Sequence, residues 1–273
     1  MNKFLQTSLS ILLAAILSMQ CSAQITEDFD IVFGSMAGDG DSPPLEGWAA
    51  DLNSSDFGPT GMFPGIDSVC GFFDAQGGEP GSYIAMNFQN AGLDAADTTS
   101  AWLISPQVSL ADRTMISFYT RTVTASPFPD RLVVRISSNG DSVNVGDGPL
   151  DLGDFQTVLF DINPTHQVGG YPEEWTLFET ELMGFSDSTG RIAFHYFNEF
   201  MNVNGNYIGI DTFRQIPFLL GDVNCDGFVN ILDIQPFVES LTGGEFNEKA
   251  DLNGDGVVDL LDVDPFVDAI VGG

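Results

Sequence analysis

The end of the chain repeats itself, and this constrains the fold more than any other feature. Asp222–Gly244 (DVNCDGFVNILDIQPFVESLTGG) aligns without gaps on Asp251–Gly273 (DLNGDGVVDLLDVDPFVDAIVGG), with about half the positions identical and an offset of 29 residues. Such a repeat marks a duplicated structural unit. Each copy opens with short oxygen-bearing side chains at alternate positions and a Gly at position six. This is the spacing of a loop that curls around a hard cation, with ligands at positions 1, 3, 5, 7, 9 and 12. In the first copy these are Asp222, Asn224, Asp226, the Phe228 carbonyl, Asn230 and Asp233, with Gly227 at the turn. In the second they are Asp251, Asn253, Asp255, the Val257 carbonyl, Asp259 and Asp262, with Gly256.

No His or Cys occupies a ligand position; Cys225 sits at position four. An all-oxygen donor set argues for calcium and against zinc or copper, so two calcium ions are predicted. Position 12 is Asp in place of Glu, which can still offer two oxygens if the following helix starts close to the ion. The first loop carries three carboxylates and the second four, so the second is predicted to bind more tightly.

A short helix is predicted after each loop. Ile234, Phe237, Val238 and Leu241 follow helical spacing, and Val263, Phe266, Val267 and Ile270 copy it. Pro236 and Pro265 fall in the first turn, where a missing N–H costs little. The paired glycines after each helix fit a stop. A unit of about 50 residues has little core of its own, so metal should supply much of its folding free energy.

Charge narrows the partners. With 8 Lys and Arg against 39 Asp and Glu, the formal net charge is −31. Such a chain repels phosphate backbones and anionic lipid, so nucleic acid is excluded as a partner. Residues 222–273 alone hold 12 acidic residues and one basic residue, Lys249.

Residues 1–23 read as a secretory signal, with Lys3, the apolar Leu5–Leu17, and Cys21-Ser22-Ala23 before a cleavage point at Gln24. A lipid-modified Cys21 is the rival reading, disfavoured by the bulky Gln20. No segment is long enough to span a membrane. Export permits disulfides, but Cys70 and Cys225 fall in separate predicted domains and read as two isolated thiols.

Residues 24–215 carry short alternating runs separated by Gly, Asp, Asn and Pro clusters, predicting a β-sandwich. Predicted strands are Ser82–Phe88, Ala101–Ser105, Met115–Thr122, Arg131–Ser137, Thr157–Asp161, Trp175–Glu181, Arg191–Phe197 and Tyr207–Phe213. Leu132, Val134 and Ile136 share one face of their strand, as Ile192, Phe194 and Tyr196 do of theirs. Residues 216–221 are a hinge containing Pro217. The fold class is mainly β, a sandwich followed by a small α-helical calcium-binding domain at 222–273.

The duplicated tail resembles a type I dockerin, the calcium-dependent module that docks onto cohesin domains in extracellular assemblies. It departs from the family at loop positions 10 and 11, where polar pairs are usual and Ile231-Leu232 and Leu260-Leu261 stand here. The resemblance implies calcium binding and a cohesin-like or other surface partner. The body resembles the cleaved-adhesin or choice-of-anchor J domain, a jelly roll of secreted bacterial proteins. The residues that carry this are Trp102–Pro106, Asp130–Ser137, Trp175 after Pro172, Arg191–Tyr196 and Gly209–Phe213. That family implies adhesion or binding, with structural calcium near the sandwich edge. By position, Glu27, Asp28, Asp30 and Asp211 are the candidates for such a third ion.

Catalytic signatures are absent. The two histidines, His166 and His195, form no HExxH, and no GxSxG occurs. A glycosidase needs only two suitably spaced carboxylates, which a chain this acidic could supply. Trp48, Trp102 and Trp175 are either core residues or a sugar-stacking platform. The sequence therefore predicts a secreted, non-catalytic binding or adhesion module held at the cell surface or in an extracellular complex by its tail. The alternative is a carbohydrate-binding or polysaccharide-degrading module recruited the same way.

Overall fold

The structure, a computed structural model, describes residues 25–27, 47–56, 58–92, 94–185 and 188–272. The signal segment, Cys21, Asp28 and Asp30 lie outside them. Two six-stranded antiparallel sheets form the body. The first has the order β10-β7-β12-β4-β3, with β1 (Ile25–Glu27) also on β12. Here β3 is Phe63–Pro64, β4 Ile84–Asn87, β7 Met115–Thr122, β10 Thr176–Glu181 and β12 Tyr207–Ile216. The second has the order β2-β5-β11-β8-β9, with β6 (Val108–Leu110) also on β11. In it β2 is Ala49–Leu52, β5 Thr98–Ile104, β8 Leu132–Ser137, β9 Thr157–Ile162 and β11 Ser188–Glu199.

Alternation explains the core between the sheets. The predicted inward residues Leu132, Val134 and Ile136 of β8 and Ile192, Phe194 and Tyr196 of β11 meet Ile116 and Phe118 of β7 and Ile208, Ile210 and Phe213 of β12. Trp48 closes this core, edge-on to Phe213 at 5.6 Å between ring centres.

The outer face of the second sheet is also covered. Trp102, Ile104 and Ala193 form a second core with Val145 and Phe155, which come from the long connection between β8 and β9. On the outer face of the first sheet, Phe73, Tyr83 and Tyr207 cluster with the half-buried Phe63 and Trp175. Gly209 makes room for them: a Cβ there would stand 2.7 Å from the Trp175 ring and 2.9 Å from Phe73 and Tyr83.

One buried carboxylate ties several segments together. Asp130 Oδ1 accepts from Tyr196 Oη and from the Asn206 N–H, both at 2.6 Å, and Oδ2 accepts from Thr122 Oγ1 at 2.5 Å. Burial pushes the Asp130 carboxyl above its usual range. These three charge-assisted bonds offset much of the cost of keeping it there.

The tail is two short helices, α1 (Ile234–Leu241) and α2 (Val263–Gly272), each preceded by a loop. Pro236 and Pro265 sit at the third helical residue, as predicted. After α1, Gly243 takes φ +101°, and the Gly244 N–H reaches the Glu239 carbonyl at 2.9 Å. This is the left-handed stop that a glycine pair permits. After α2 the outcome differs, for Gly272 is still helical.

The tail's core is small. Val223, Phe237, Ala250 and Phe266 are buried, with Leu241, Leu252, Val258, Val263 and Ile270 packed on them. At its centre the Phe237 and Phe266 rings stack 4.0 Å apart and 9° from parallel. Ile234, Val238 and Val267, which the helical spacing also assigned to this face, are exposed. A single helix packed on its own repeat covers too narrow an arc to take all four apolar positions.

Candidate metal loops and their surroundings

Both loops share a common set of hydrogen bonds. The position-one carboxylate accepts the N–H groups of positions five and six, at 3.0 and 3.2 Å in the first loop (Asp222 with Asp226 and Gly227). In the second, Asp251 accepts those of Asp255 and Gly256 at 3.1 and 2.8 Å. Position three accepts from position five: Asn224 from Asp226 at 2.9 Å, and Asn253 from Asp255 at 2.8 Å. Position five accepts from position seven: Asp226 from Phe228 at 2.9 Å, and Asp255 from Val257 at 3.0 Å. Position nine accepts from position eleven: Asn230 from Leu232 at 2.8 Å, and Asp259 from Leu261 at 2.7 Å.

Position twelve closes each ring. Asp233 accepts from the N–H of Asn224 at 3.0 Å and of Asn230 at 2.8 Å. Asp262 accepts from Asn253 at 3.0 Å and Asp259 at 2.9 Å. The short Asp reaches because α1 and α2 begin at the next residue. Gly227 and Gly256 hold φ +88° and +86° at the sharp turn, where a side chain would be strained. Position four is left-handed in both loops: Gly254 at +73° in the second, Cys225 at +60° in the first.

Asp222, Asp233, Asp251 and Asp262 are all buried. Burying four acids in so small a unit is costly unless a cation joins them. The donors are carboxylate, amide and carbonyl oxygens, with no nitrogen or sulfur at a ligand position. That chemistry fits a hard divalent ion such as calcium.

Residues 220–265 match the family of the dockerin type I domain. The match spans both loops and the start of α2. Comparison with curated proteins finds no match. Among solved structures, the chain is similar to the K1 cleaved adhesin domain of Lys-gingipain from Porphyromonas gingivalis W83, at 17% identity and TM-score 0.48, over 72% of this chain and 99% of that one. The K2 cleaved adhesin domain of Lys-gingipain aligns at 22% identity and TM-score 0.46, again over 72% and 99%. A TmCBM61 structure in complex with β-1,4-galactotriose aligns at 12% identity and TM-score 0.36, over 66% and 92%.

The tail leans on the sandwich. Arg113 makes two hydrogen bonds to the Glu248 carboxylate, at 2.8 and 2.6 Å, and lies 3.6 Å from the centre of the Phe218 ring. A cleft of about 580 Å³ opens between the two, lined by Tyr119, Glu179, Arg214, Phe218 and Lys249 among others.

Of the four candidates for a third ion, Asp211 is the one whose side-chain surroundings are described. Glu27 lies in β1 opposite Phe213, while Asp28 and Asp30 fall outside the described residues. The Asp211 carboxylate is buried and accepts the N–H groups of Gln76, Gly77 and Thr212. Among the described residues, the three carboxylates whose oxygens lie within 4.8 Å of one another are Asp56, Asp94 and Asp97, which sequence spacing did not bring together.

The two histidines have structural surroundings. His195 is buried and stacks on Trp102 at 3.6 Å, with Nε2 2.9 Å from Ser100 Oγ. Trp102 Nε1 donates to the same hydroxyl at 3.1 Å. Burial, then Arg135 and Arg131, hold the imidazole well below its ordinary pKa. This serine–histidine contact faces a packed core and is closed to substrate. His166 lies in a turn at φ +48°, its pKa also lowered by burial. Trp48 and Trp102 are core residues; Trp175 alone of the three is part-exposed. Cys70 and Cys225 are free and exposed. Among the described residues no helix is long and apolar enough to cross a membrane.

Proposed function

We propose that this is an exported, non-catalytic binding module whose calcium-folded dockerin domain attaches the β-sandwich to a partner protein at the cell surface or in an extracellular complex. The observation that carries this reading is the set of loop-closing hydrogen bonds that the two loops share, in a segment that matches the dockerin type I domain. One calcium per loop is held by Asp222, Asn224, Asp226, the Phe228 carbonyl, Asn230 and Asp233, and by Asp251, Asn253, Asp255, the Val257 carbonyl, Asp259 and Asp262. The ion satisfies the buried acids and ties each loop to its helix.

The partner face is apolar where a familiar dockerin is polar. Ile231 and Leu232 are 72% and 63% exposed, and Leu260 and Leu261 are 79% and 66% exposed. A cohesin-like partner would therefore present an apolar patch with a basic rim, to suit the acids around these pairs.

The full chain, captured with and without calcium on a panel of cohesin domains and on the surface proteins of the source cell, tests the attachment. Capture that needs calcium and is lost in Leu260→Asp and Ile231→Asp supports it. Capture that is indifferent to chelator refutes it.

A second reading has one observation in its favour. Phe72 is exposed and its ring lies tilted against Tyr207, 4.7 Å between centres, near the part-exposed Trp175. Aromatic faces on a rigid sheet suit sugar rings, so a glycan is the alternative ligand of the sandwich. Array binding lost in Trp175→Ala, without sugar release, selects the glycan-binding reading. Release of reducing sugar selects a hydrolase and overturns the non-catalytic role.

A further inference from the structure

Lys249 is the tail's one basic residue, and it does not serve the loop it precedes. Its ammonium reaches back to the other repeat and stands 3.0 Å from Asp222 Oδ2, at position one of the first loop. Asp222 is wholly buried there, and only 13% of the Lys249 side chain is exposed. By the 29-residue offset, the counterpart of Lys249 is Leu220. Where the first loop receives an ammonium, its twin has only a hydrocarbon as the equivalent residue. Among the described residues, Asp251 accepts only backbone N–H groups.

The lysine is also held in place from both sides. Its carbonyl accepts the Gly221 N–H at 2.8 Å, and its Nζ lies 5.8 Å from the centre of the Phe218 ring. Arg113 covers that ring as well and grips the neighbouring Glu248. The ammonium is thus fixed at the junction of sandwich and tail.

We infer that Lys249 is a built-in counter-cation of the first loop and makes the two loops take calcium in order, the second before the first. The inference rests on the calcium reading above. Counting side chains, the first loop has three negative charges and one positive, and the second has four negative. Calcium affinity rises with ligand charge, and repulsion between cations in a partly buried site is weakly screened. The ammonium also neutralises Asp222 while the metal is away. Whatever stabilises the empty state lowers the apparent affinity, so both effects act in one direction. Position nine (Asn230 against Asp259) favours the second loop too, and the lysine has to be separated from it.

Gly227 and Gly256 occupy position six of their loops, so their amide signals report each site on equal terms. The experiment is a calcium titration of the full chain labelled with ¹⁵N-glycine. In the wild type, Gly256 should reach its bound position at about tenfold lower calcium than Gly227. Lys249→Leu should lower the Gly227 midpoint about tenfold, worth ~1.4 kcal/mol, and leave Gly256 within about twofold. Lys249→Gln must reproduce that shift and Lys249→Arg must abolish it, which separates charge from packing. A Gly227 midpoint unmoved in both neutral variants, or filled first in the wild type, overturns the inference. If neither glycine responds to calcium in the wild type, it is the calcium reading that fails.

Discussion

Truncating Phe237 to Ala tests how far the tail depends on metal. The ring lies at the centre of a core with four buried members, stacked 4.0 Å from Phe266. Removing a buried Phe ring costs about 3–5 kcal/mol. A unit of this size has a total stability of roughly 3–8 kcal/mol, at about 0.05–0.15 kcal/mol per residue. An ion at a hundred times its dissociation constant adds about 2.7 kcal/mol per site, hence about 5 kcal/mol for two. The Phe237→Ala tail should therefore stay folded in millimolar calcium and unfold in chelator. Hydrogen exchange on the full chain, read from peptides spanning 222–272, measures this directly. With calcium, the variant should lose protection by about a hundredfold or more, at 1.4 kcal/mol per factor of ten. In chelator, the variant should exchange freely in this segment, and the wild type should lose protection there by more than about a thousandfold. Trp48, Trp102 and Trp175 all lie in the sandwich, so tryptophan fluorescence is the internal control and should not change. Equal protection of the wild-type tail with and without chelator would refute the reasoning.

The left-handed Cys225 points to a simple stabilisation. Cys225→Gly should raise the melting of the calcium-loaded tail by about 0.5–1 kcal/mol, the relief of left-handed strain less the entropy a glycine adds to the unfolded chain; a lower melting temperature by calorimetry would contradict it. His195 should make the sandwich acid-sensitive. Its folded pKa lies below the unfolded value near 6.5, so the unfolded state binds the proton first. Stability is full above pH 6.5 and falls below it, by up to about 1.4 kcal/mol per pH unit. Urea midpoints at pH 7.5 and 5.5 should show this fall, and His195→Phe should flatten it. Arg113→Ala removes a two-point contact that is part-exposed. It should cost under about 1 kcal/mol in global stability yet loosen the tail against the sandwich, visible as a larger radius of gyration in solution scattering. An unchanged radius would show that Phe218 packing suffices.

Much of this architecture is written locally in the sequence, and the exceptions share a cause. Met115–Thr122 has the bounds expected of it because eight residues alternate and turns flank them. The three- or four-residue β2 and β6 and the two-residue β3 were missed, since runs that short show no period. Val133 and His195 stand on faces that alternation assigns to solvent, yet both are buried. For His195 the cover is the Trp102 ring from the neighbouring strand, itself packed against Phe155 of a connection some 40 residues earlier, which a local pattern does not register. The loops were legible because ligand spacing is itself local and is repeated. The contact between Lys249 and Asp222 crosses the repeats, and no periodic signal marks it. The Asp56, Asp94 and Asp97 group likewise joins two loops separated by two strands.

The position of β12 matters once the tail is attached to anything. This strand is the last of the sandwich and leads directly into the tail, and it lies between β7 and β4 with β1 paired further along. A pull on an anchored tail would load it lengthwise. Both flanking ladders would then have to yield in shear, many bonds at once, where an edge strand would peel one bond at a time. Chain order alone would give the sandwich a mechanically sound way to hang from a tethered tail under flow.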